Sequence, residues 1–265
     1  MATISLNFDS LTLLSNLSTY PKSPFPQVRT PFISSSCRRI SKPNSTISTM
    51  AHSHSTQNPV IEQQRMIIPN KHGEKLVGLL HETESKEIVI LCHGFRSRKD
   101  YNTMTNLAAA LEIEGISVFR FDFAGNGESE GSFQYGNYYR EADDLHAVIQ
   151  HFSGESHVVS AILGHSKGGI EYRVTEEALM DRLRTDMHEA CLKIDKECRV
   201  LTVHGSADEI ISVEDALEFA KVIPNHQLHI IEGANHGYTS HQTELASSIV
   251  KFIKSALEQD KVSSK

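Results

Sequence analysis

Short apolar runs alternate with helical segments along most of the chain, and this alternation restricts the possible folds more than any other feature. Residues 87–92 and 158–163 are short apolar runs of the kind found in strands buried on both faces. Between them, residues 139–152 carry apolar side chains at helical spacing. Strands that alternate with helices build a largely parallel sheet covered on both faces. We therefore predict an α/β fold with a doubly wound, mostly parallel sheet.

The remaining predicted elements continue this alternation. Strands are predicted at residues 65–69, 75–80, 116–121, 200–203 and 228–231, and helices at 100–114, 175–194, 212–222 and 244–257. A turn at His72-Gly73 separates the first two strands. Asp100 is predicted to cap the first helix, and Ser212 with Asp215 to cap a later one.

The composition changes sharply near residue 50. Residues 1–50 hold many serines, five lysines or arginines and a single acidic residue, Asp9. This composition is typical of an organelle transit peptide, and we favour a plastid (chloroplast) over a mitochondrion. The alternative is a disordered tail without a targeting signal. An internal translation start at Met50 would give a cytosolic form. The predicted organisation is a disordered leader at 1–50, a linker at 51–60, a folded α/β domain at 61–258 and a tail at 259–265.

Charge, hydropathy and cysteine spacing exclude several classes of protein. Without residues 1–50 the chain has 21 basic and 32 acidic residues, a formal charge of −11. Such an acidic domain is not expected to bind nucleic acid, because phosphate contacts need a basic surface. No apolar run reaches the roughly 20 residues of a membrane-spanning helix. The cysteines show no metal or disulfide spacing, and Cys92 is expected to be a buried packing residue in a reducing compartment.

A glycine–serine motif follows the strand at 158–163. Gly164, Ser166 and Gly168 form the pattern Gly-x-Ser-x-Gly, which after a buried strand predicts a nucleophile elbow. The chain must turn sharply there, and side chains in place of either glycine are expected to collide with their surroundings. The turn would hold Ser166 in a strained conformation with its hydroxyl exposed. Ser166 is therefore the candidate nucleophile.

A serine nucleophile needs a base, and proteins with such an elbow place the acid and then the histidine after the serine. His236, in the loop after the last predicted strand, is the candidate base among 15 histidines, because loops at strand ends carry catalytic groups. Asp208, just beyond the strand at 200–203, is the candidate acid that orients the imidazole. Glu209 is its nearest competitor. The other late histidines are expected to be structural or solvated: His226, His229 and His241.

The loop after the strand at 87–92 is expected to stabilise negative charge on a substrate. Acyl transfer needs N–H donors for the developing oxyanion. The backbone N–H groups of Phe95 and Lys167 are the expected donors. His93 and Gly94 are expected to support this loop rather than to take part in the chemistry, because the donors are main-chain groups.

A further loop makes the resemblance to a known family specific. Residues 122–129 have the pattern Asp-x-x-Gly-x-Gly-x-Ser, which resembles a loop of α/β-hydrolases. With His93-Gly94, the elbow, the turn at 205–208 and the loop at 235–237, five motifs occur in that superfamily's order. Over about residues 62–258 they resemble the branch with serine aminopeptidase-like proteins, cinnamoyl and feruloyl esterases, and monoacylglycerol lipases. The resemblance implies hydrolysis of a small-molecule ester or amide, with no metal and no cofactor.

One interval departs from the family pattern. Ser166 and Asp208 are only 42 residues apart, whereas the usual elements with short loops need about 45 even without a lid. We therefore expect one helix–strand unit and the lid to be absent. The alternating run at 170–174 is too short and too close to the elbow to be a convincing strand of that unit. Either the strand at 200–203 moves beside the elbow strand, or a gap exposes apolar sheet surface.

Three functions remain open from the sequence. The first is a serine hydrolase that forms an acyl-Ser166 intermediate. The second is a catalytically impaired splice form or a non-catalytic small-molecule-binding protein of the same fold. The third is an acyltransferase that uses the same residues. The sequence does not indicate the substrate or the oligomeric state.

Overall fold

The computed structural model describes residues 63–154, 157–166 and 185–263, together with the backbone of residues 2–6. The strands are β1 (Ala2–Leu6), β2 (Gln63–Pro69), β3 (Lys75–His81), β4 (Glu87–Cys92), β5 (Ser117–Phe121), β6 (Val158–His165), β7 (Arg199–Gly205) and β8 (His226–Ile231). The helices are α1 (Asn102–Ile113), α2 (Tyr138–Gly154), α3 (Met187–Leu192), α4 (Val213–Val222) and α5 (Gln242–Ser263). None of the described helices is long and apolar enough to cross a membrane.

The described strands form one eight-stranded sheet in the order β2-β3-β5-β4-β6-β1-β7-β8. Only the pairs β2–β3 and β3–β5 are antiparallel in this sheet, and the other pairs are parallel. The turn between β2 and β3 lies at His72-Gly73 as predicted, and Gly73 has a φ of +79° that a side chain would strain. The prediction of a mostly parallel α/β sheet is confirmed.

Both faces of the sheet are covered, and β4 shows how. Ile88 and Ile90 pack in a cluster with apolar residues of α2, whereas Val89 and Leu91 pack on the opposite face with α1 and α5. Successive strand residues point to opposite faces, so a run without polar residues is required where helices cover both. Each buried aliphatic side chain contributes about 1.5–3 kcal/mol to stability. Cys92 is buried in the α2 cluster, as its place in the run predicts.

One predicted helix cap is wrong, and the other is confirmed in its position but not in its side-chain hydrogen bond. Tyr101, not Asp100, is the N-cap of α1, and the Asp100 carboxylate accepts hydrogen bonds from Lys99 and Arg120 instead. Ser212 is the N-cap residue of α4, but its side chain makes no cap hydrogen bond and contacts the Glu214 carboxylate. The Asp100 carboxylate therefore accepts from two cationic side chains, whereas the Ser212 hydroxyl donates to a carboxylate and does not accept from the helix N–H groups.

The place beside the elbow strand is filled by a segment that the sequence did not indicate. β1 lies between β6 and β7 and pairs in parallel with both. Neither expected outcome of the short interval is found here: β7 does not pair with β6, and the two strands are not left with a gap. Backbone pairing on two sides explains why an extended segment is held there.

β1 lies within the segment predicted to be a leader, and the predicted domain boundaries remain predictions. Residues 167–184 lie outside the described residues, and so do the run at 170–174 and most of the helical segment predicted at 175–194. The described end of that segment forms α3. The predicted absence of one helix–strand unit and of the lid therefore remains a prediction.

Candidate active site

Ser166 follows β6 directly and has the unusual backbone conformation expected of an elbow. Its φ is +21°, in the left-handed region that residues other than glycine avoid. The residue is buried, with 5% of its surface exposed. The side chain is therefore fixed at the carboxyl edge of the sheet by a strained turn.

The close contact that excludes a side chain near Ser166 is found at Gly94, in the loop after β4. A Cβ on Gly164 would meet no atom within 4 Å among the described residues, and the predicted collision with the chain beyond Ser166 stays a prediction. A Cβ on Gly94 would instead lie 2.2 Å from the carbonyl oxygen of Ser166. The close approach that requires glycine is thus between the loop after β4 and the serine backbone. Lys167 and Gly168 lie outside the described residues.

His236 lies between Ser166 and Asp208 and contacts both. Its Nε2 is 2.6 Å from Ser166 Oγ, and its Nδ1 is 3.0 and 2.9 Å from the two carboxylate oxygens of Asp208. With Nδ1–H donating to the carboxylate, the Nε2 lone pair faces the serine hydroxyl and can accept its proton. The three residues predicted from the sequence are therefore brought together in the order and at the distances that proton transfer needs.

The Asp208 carboxylate is held in its charged form by its surroundings. Its side chain is fully buried, and Oδ1 accepts backbone hydrogen bonds from Ile210 and Ile211 at 2.8 and 2.9 Å. Burial alone would raise the pKa of Asp208, but the hydrogen bonds from His236 and from these two N–H groups outweigh burial and lower the pKa overall. The acid is thus ionised and oriented toward the imidazole at neutral pH.

Glu209, the competitor of Asp208 in the sequence, has a different partner. Its carboxylate accepts a hydrogen bond from the backbone N–H of His236 at 3.1 Å. It therefore contacts the loop that carries the imidazole, whereas the imidazole Nδ1 contacts the Asp208 carboxylate.

The loops after β7 and β8 are joined to each other by backbone contacts. The Ala207 N–H donates to the carbonyl of Ala234 at 3.0 Å. A Cβ on Gly205 would lie 2.2 Å from that same carbonyl oxygen, so glycine is needed where the loops approach. Because Asp208 lies on one loop and His236 on the other, these contacts fix the acid relative to the base.

Tyr238 anchors the histidine loop, and the sequence analysis missed it. The side chain is completely buried, and its hydroxyl donates to the carbonyl of Val203 on β7 at 2.8 Å. Its backbone has a positive φ of +52°, so the tight turn after His236 is strained and held by the buried phenol. An aromatic residue two positions after the candidate base was the available signal.

His165 is a second residue that the sequence analysis missed. Its ring stacks on Tyr101 at 6.0 Å and lies 5.8 Å from the ring of His236, between centroids. Burial, followed by the charge of His236, lowers the pKa of His165 to about 4. The ring is therefore neutral at physiological pH and adds no charge beside the candidate base. Its position next to Ser166 was the only sequence signal.

The loop after β4 is supported as expected, but its expected donor is engaged. His93 Nε2 accepts from the backbone N–H of Phe123, so Nδ1 carries the proton and donates to the carbonyl of Gly94 at 2.8 Å. The Phe95 N–H donates to the carbonyl of Ser166 at 2.8 Å. To bind an oxyanion, this N–H would have to exchange the serine carbonyl for the substrate oxygen.

The Asp-x-x-Gly-x-Gly-x-Ser loop is a buried polar cluster. The Asp122 carboxylate, with no exposed surface, accepts from Lys99 Nζ at 3.0 Å and from the backbone N–H groups of Lys99 and Glu128 at 2.6 and 2.9 Å. Burial alone would lower the pKa of Lys99, but its bonds to Asp122 and other carboxylates raise it overall. A Cβ on Gly127 would lie 2.1 Å from an Asp122 oxygen. These motif residues therefore build the loop's framework.

The described residues contain no group of three or more His, Cys, Asp or Glu side chains placed to hold a metal ion. The arrangement of Ser166, His236 and Asp208 supplies a nucleophile, a base and an orienting acid from side chains alone. Such a set of side chains is the arrangement that nucleophilic substitution at a carbonyl requires.

Comparisons with known proteins bear on the fold and on the family of part of the chain. Residues 83–177 match the family model of serine aminopeptidase, S33. This matched segment includes the loop after β4, the polar cluster of Asp122 and the elbow. No curated protein sequence matches the chain significantly.

Several solved structures have the same fold. Est1E from Butyrivibrio proteoclasticus, solved with ferulic acid bound, has a TM-score of 0.66 and 18% identity, covering 73% of this chain and 99% of that one. Esterase Pf2001 from Pyrococcus furiosus has a TM-score of 0.61 and 20% identity, covering 76% and 96%. XC6422 from Xanthomonas campestris, described as a serine hydrolase without a lid, has a TM-score of 0.56 and 20% identity, covering 77% and 97%.

The order of the strands, the strained serine after β6 and the family match over residues 83–177 lead to one assignment. The chain has the fold of the α/β-hydrolase superfamily and is similar, over that segment, to the serine aminopeptidase branch.

Proposed function

We propose that the protein is a serine hydrolase that cleaves small carboxylic esters through an acyl-Ser166 intermediate. The observation that carries the proposal is the position of His236, with Nε2 2.6 Å from Ser166 Oγ and Nδ1 2.9 Å from the nearer Asp208 oxygen. A serine hydroxyl is a poor nucleophile unless a base takes its proton in the transition state. These contacts supply the base and orient it.

In the first half of the reaction, Ser166 Oγ attacks the ester carbonyl and forms a bond to its carbon. The hydroxyl proton passes to His236 Nε2, and Asp208 stabilises the resulting imidazolium. The tetrahedral intermediate collapses, the bond to the alcohol oxygen breaks, and Nε2 gives its proton to that oxygen. The products are the alcohol and an acyl-serine ester.

In the second half, water replaces the alcohol. His236 Nε2 takes a proton from the water as its oxygen attacks the acyl carbon, and it returns that proton to Ser166 Oγ as the acyl bond breaks. The oxyanion of both intermediates is proposed to accept from the N–H groups of Phe95 and Lys167. Phe95 then exchanges its bond to the Ser166 carbonyl for one to the substrate.

Esters are proposed before amides as the substrate class. Est1E was solved with ferulic acid, and Pf2001 is described as an esterase. Alcohols also leave more readily than amines, so an ester makes the smaller demand on proton donation by His236. The short interval between Ser166 and Asp208 leaves little chain for a lid, which favours small substrates that need no enclosure.

A fluorophosphonate probe and p-nitrophenyl acetate test the proposal on the full-length protein. We expect covalent labelling of the native chain and a fall of at least about 10³-fold in kcat for Ser166→Ala. Ser212→Ala is the matched control, because its side chain makes no helix-cap bond and lies in the exposed turn before α4. Equal labelling of native protein and Ser166→Ala would refute the assignment of the nucleophile.

One observation favours a second candidate, a non-catalytic small-molecule-binding protein. The Phe95 N–H is bound to the Ser166 carbonyl, so the oxyanion donor is occupied in this structure. If that bond does not exchange, the site binds a carbonyl compound without turning it over. Cooperative thermal unfolding together with absent labelling and absent ester hydrolysis would support this candidate over the hydrolase.

A further inference from the structure

A segment from the N-terminal region lies in the middle of the sheet. β1 pairs in parallel with β6 on one side and with β7 on the other. β6 leads directly to Ser166, and β7 leads to the turn that carries Asp208. β1 therefore separates the strand of the candidate nucleophile from the strand of the candidate acid.

The register places the carboxyl end of β1 beside the candidate site. Leu6 lies opposite His165 on β6 and opposite Val203 on β7. His165 immediately precedes Ser166, and the Val203 carbonyl accepts the hydroxyl of Tyr238 from the histidine loop. The three strands run in the same direction and end at the edge where the three site residues meet.

The spacing of strands sets the distance between acid and nucleophile. Neighbouring strands lie about 4.8 Å apart, so one intervening strand puts β6 and β7 roughly 10 Å apart. The imidazole of His236 spans the two sides, 2.6 Å from Ser166 Oγ and 2.9 Å from the nearer Asp208 oxygen. If β7 moved beside β6, the acid would shift by about 4.8 Å. The hydrogen bonds of His236 to Ser166 and to Asp208 could not both keep their lengths after a shift of that size.

Backbone chemistry explains why the place between β6 and β7 needs an occupant. Without β1, the facing edges of both strands would have unpaired N–H and C=O groups at the centre of the sheet, where such groups are destabilising. The residues of β1, ATISL, include no proline and no charged side chain. A central strand with ladder bonds on both sides has these requirements.

We propose that residues 2–6 are a positioning strand of the catalytic site, whose pairing with β6 and β7 sets the separation of Ser166 from Asp208. The inference rests on the proposed hydrolase function. A chain that lacks residues 1–49, whether by proteolytic processing or by initiation at Met50, would lose this strand and with it the aligned site. The N-terminal segment then controls activity by its presence.

A pair of substitutions at Ile4 in the full-length protein tests the strand. Ile4→Pro removes a ladder N–H from a position paired on both sides, whereas Ile4→Val keeps the N–H and a β-branched side chain. We expect the rate of fluorophosphonate labelling to fall at least tenfold for Ile4→Pro and to stay within twofold for Ile4→Val. Unchanged labelling and an unchanged unfolding midpoint for Ile4→Pro would overturn the proposal.

Rescue separates positioning from general damage. A specific protease site inserted in the sequence between β1 and β2 allows the folded chain to be cut and the N-terminal fragment removed by dilution and gel filtration. We expect labelling of Ser166 to be lost and then restored in a dose-dependent manner by a peptide of residues 1–10. The same peptide with Ile4→Pro should not restore it.

The outcomes also separate this proposal from the function on which it rests. Full labelling by the fragment-free chain, or equal rescue by both peptides, overturns the positioning strand and leaves the hydrolase intact. If the uncut chain does not label at all, the hydrolase proposal fails. In that case the unfolding midpoint still decides whether residues 2–6 complete the sheet. We expect the midpoint to fall when the fragment is removed and to recover when the peptide is added.

Discussion

The two sides of the sheet contribute to the same site but are assembled differently. On one side, β2 to β6 follow one another in the chain and pair with one another, and the segment matching the serine aminopeptidase family, residues 83–177, falls largely here. On the other side, β7 and β8 join the sheet through β1, which lies far away in the sequence. Local sequence patterns therefore specify the serine side, whereas the side of Asp208 and His236 depends on a remote strand.

The polar chemistry of the two sides differs in the same way. The serine side contains a buried ion pair between Lys99 and Asp122, with side chains 2% and 0% exposed. On the other side, the buried charge of Asp208 is balanced by His236 and by two backbone N–H groups. The first arrangement stabilises the framework, and the second is available for proton transfer because its partner imidazole also reaches the serine.

The largest expected effect is on the side of the acid. Asp208→Asn removes the carboxylate that accepts from His236 Nδ1 and favours the wrong tautomer, so kcat should fall about 10³–10⁴-fold. Glu209→Gln is the matched control, because its amide oxygen can still accept from the His236 backbone, and we expect a change within about threefold. Steady-state ester hydrolysis by both variants measures the difference. A larger loss for Glu209→Gln than for Asp208→Asn would reverse the assignment of the acid.

The next effect concerns the framework on the serine side. Lys99→Met leaves the buried Asp122 carboxylate without its cation, and the free energy of unfolding should fall by about 3–5 kcal/mol. Lys75→Met breaks the exposed pair with Glu130, whose side chains are 60% and 50% exposed, and should cost less than about 1 kcal/mol. Urea unfolding of both variants gives the comparison. Similar losses would show that burial does not distinguish the two pairs.

A smaller effect is expected where the loop after β4 meets the elbow. Gly94→Ala places a Cβ 2.2 Å from the Ser166 carbonyl oxygen, so the loop must move and its N–H donor with it. We expect kcat to fall about 10²-fold, as for the loss of one oxyanion donor. Gly154→Ala is the control, since a Cβ there meets nothing within 4 Å. If kcat is unchanged in Gly94→Ala, the Phe95 N–H has no part in the reaction.

The smallest effect concerns His165, whose ring on the serine side lies next to the ring of His236 on the other side. Its pKa is lowered by burial to about 4 in the folded chain, so below about pH 6.5 the unfolded chain binds a proton that the folded chain does not. The contribution of the His165 ring to the free energy of unfolding is complete above pH 6.5. It declines by about 1.4 kcal/mol per pH unit as the pH falls toward 4. His165→Asn should reduce the loss of stability between pH 6.5 and 5 by about 2 kcal/mol. Equal slopes for both proteins in urea unfolding would contradict this.

The sequence predicted the strands and the site residues where the signal is local. The run that became β4 is apolar because helices cover both of its faces, and that requirement is visible in the five consecutive residues after Glu87. Ser166, Asp208 and His236 each follow a strand at the carboxyl edge of the sheet, so chain order was enough to bring them together. Their catalytic roles remain proposals.

What the sequence did not reveal depends on partners that are distant along the chain. Asp100 has a side chain suited to a helix cap, but Arg120 lies on a strand that packs beside it and takes the carboxylate. His165 is one of 15 histidines, and only packing against Tyr101 and His236 distinguishes it from the rest. The five residues of β1 resemble any short stretch of a serine-rich leader until β6 and β7 are placed on either side.

The position of β1 also has a consequence for biosynthesis. Residues 2–6 leave the ribosome long before β7, one of their two neighbours, which begins at Arg199. At typical elongation rates of about 5–20 residues per second, the segment waits roughly 10–40 seconds before both partners exist. Throughout that interval residues 2–6 lack at least one of their two strand partners and remain accessible to chaperones and proteases. Closure of the sheet around β1 is therefore a late step in the folding of each newly made molecule.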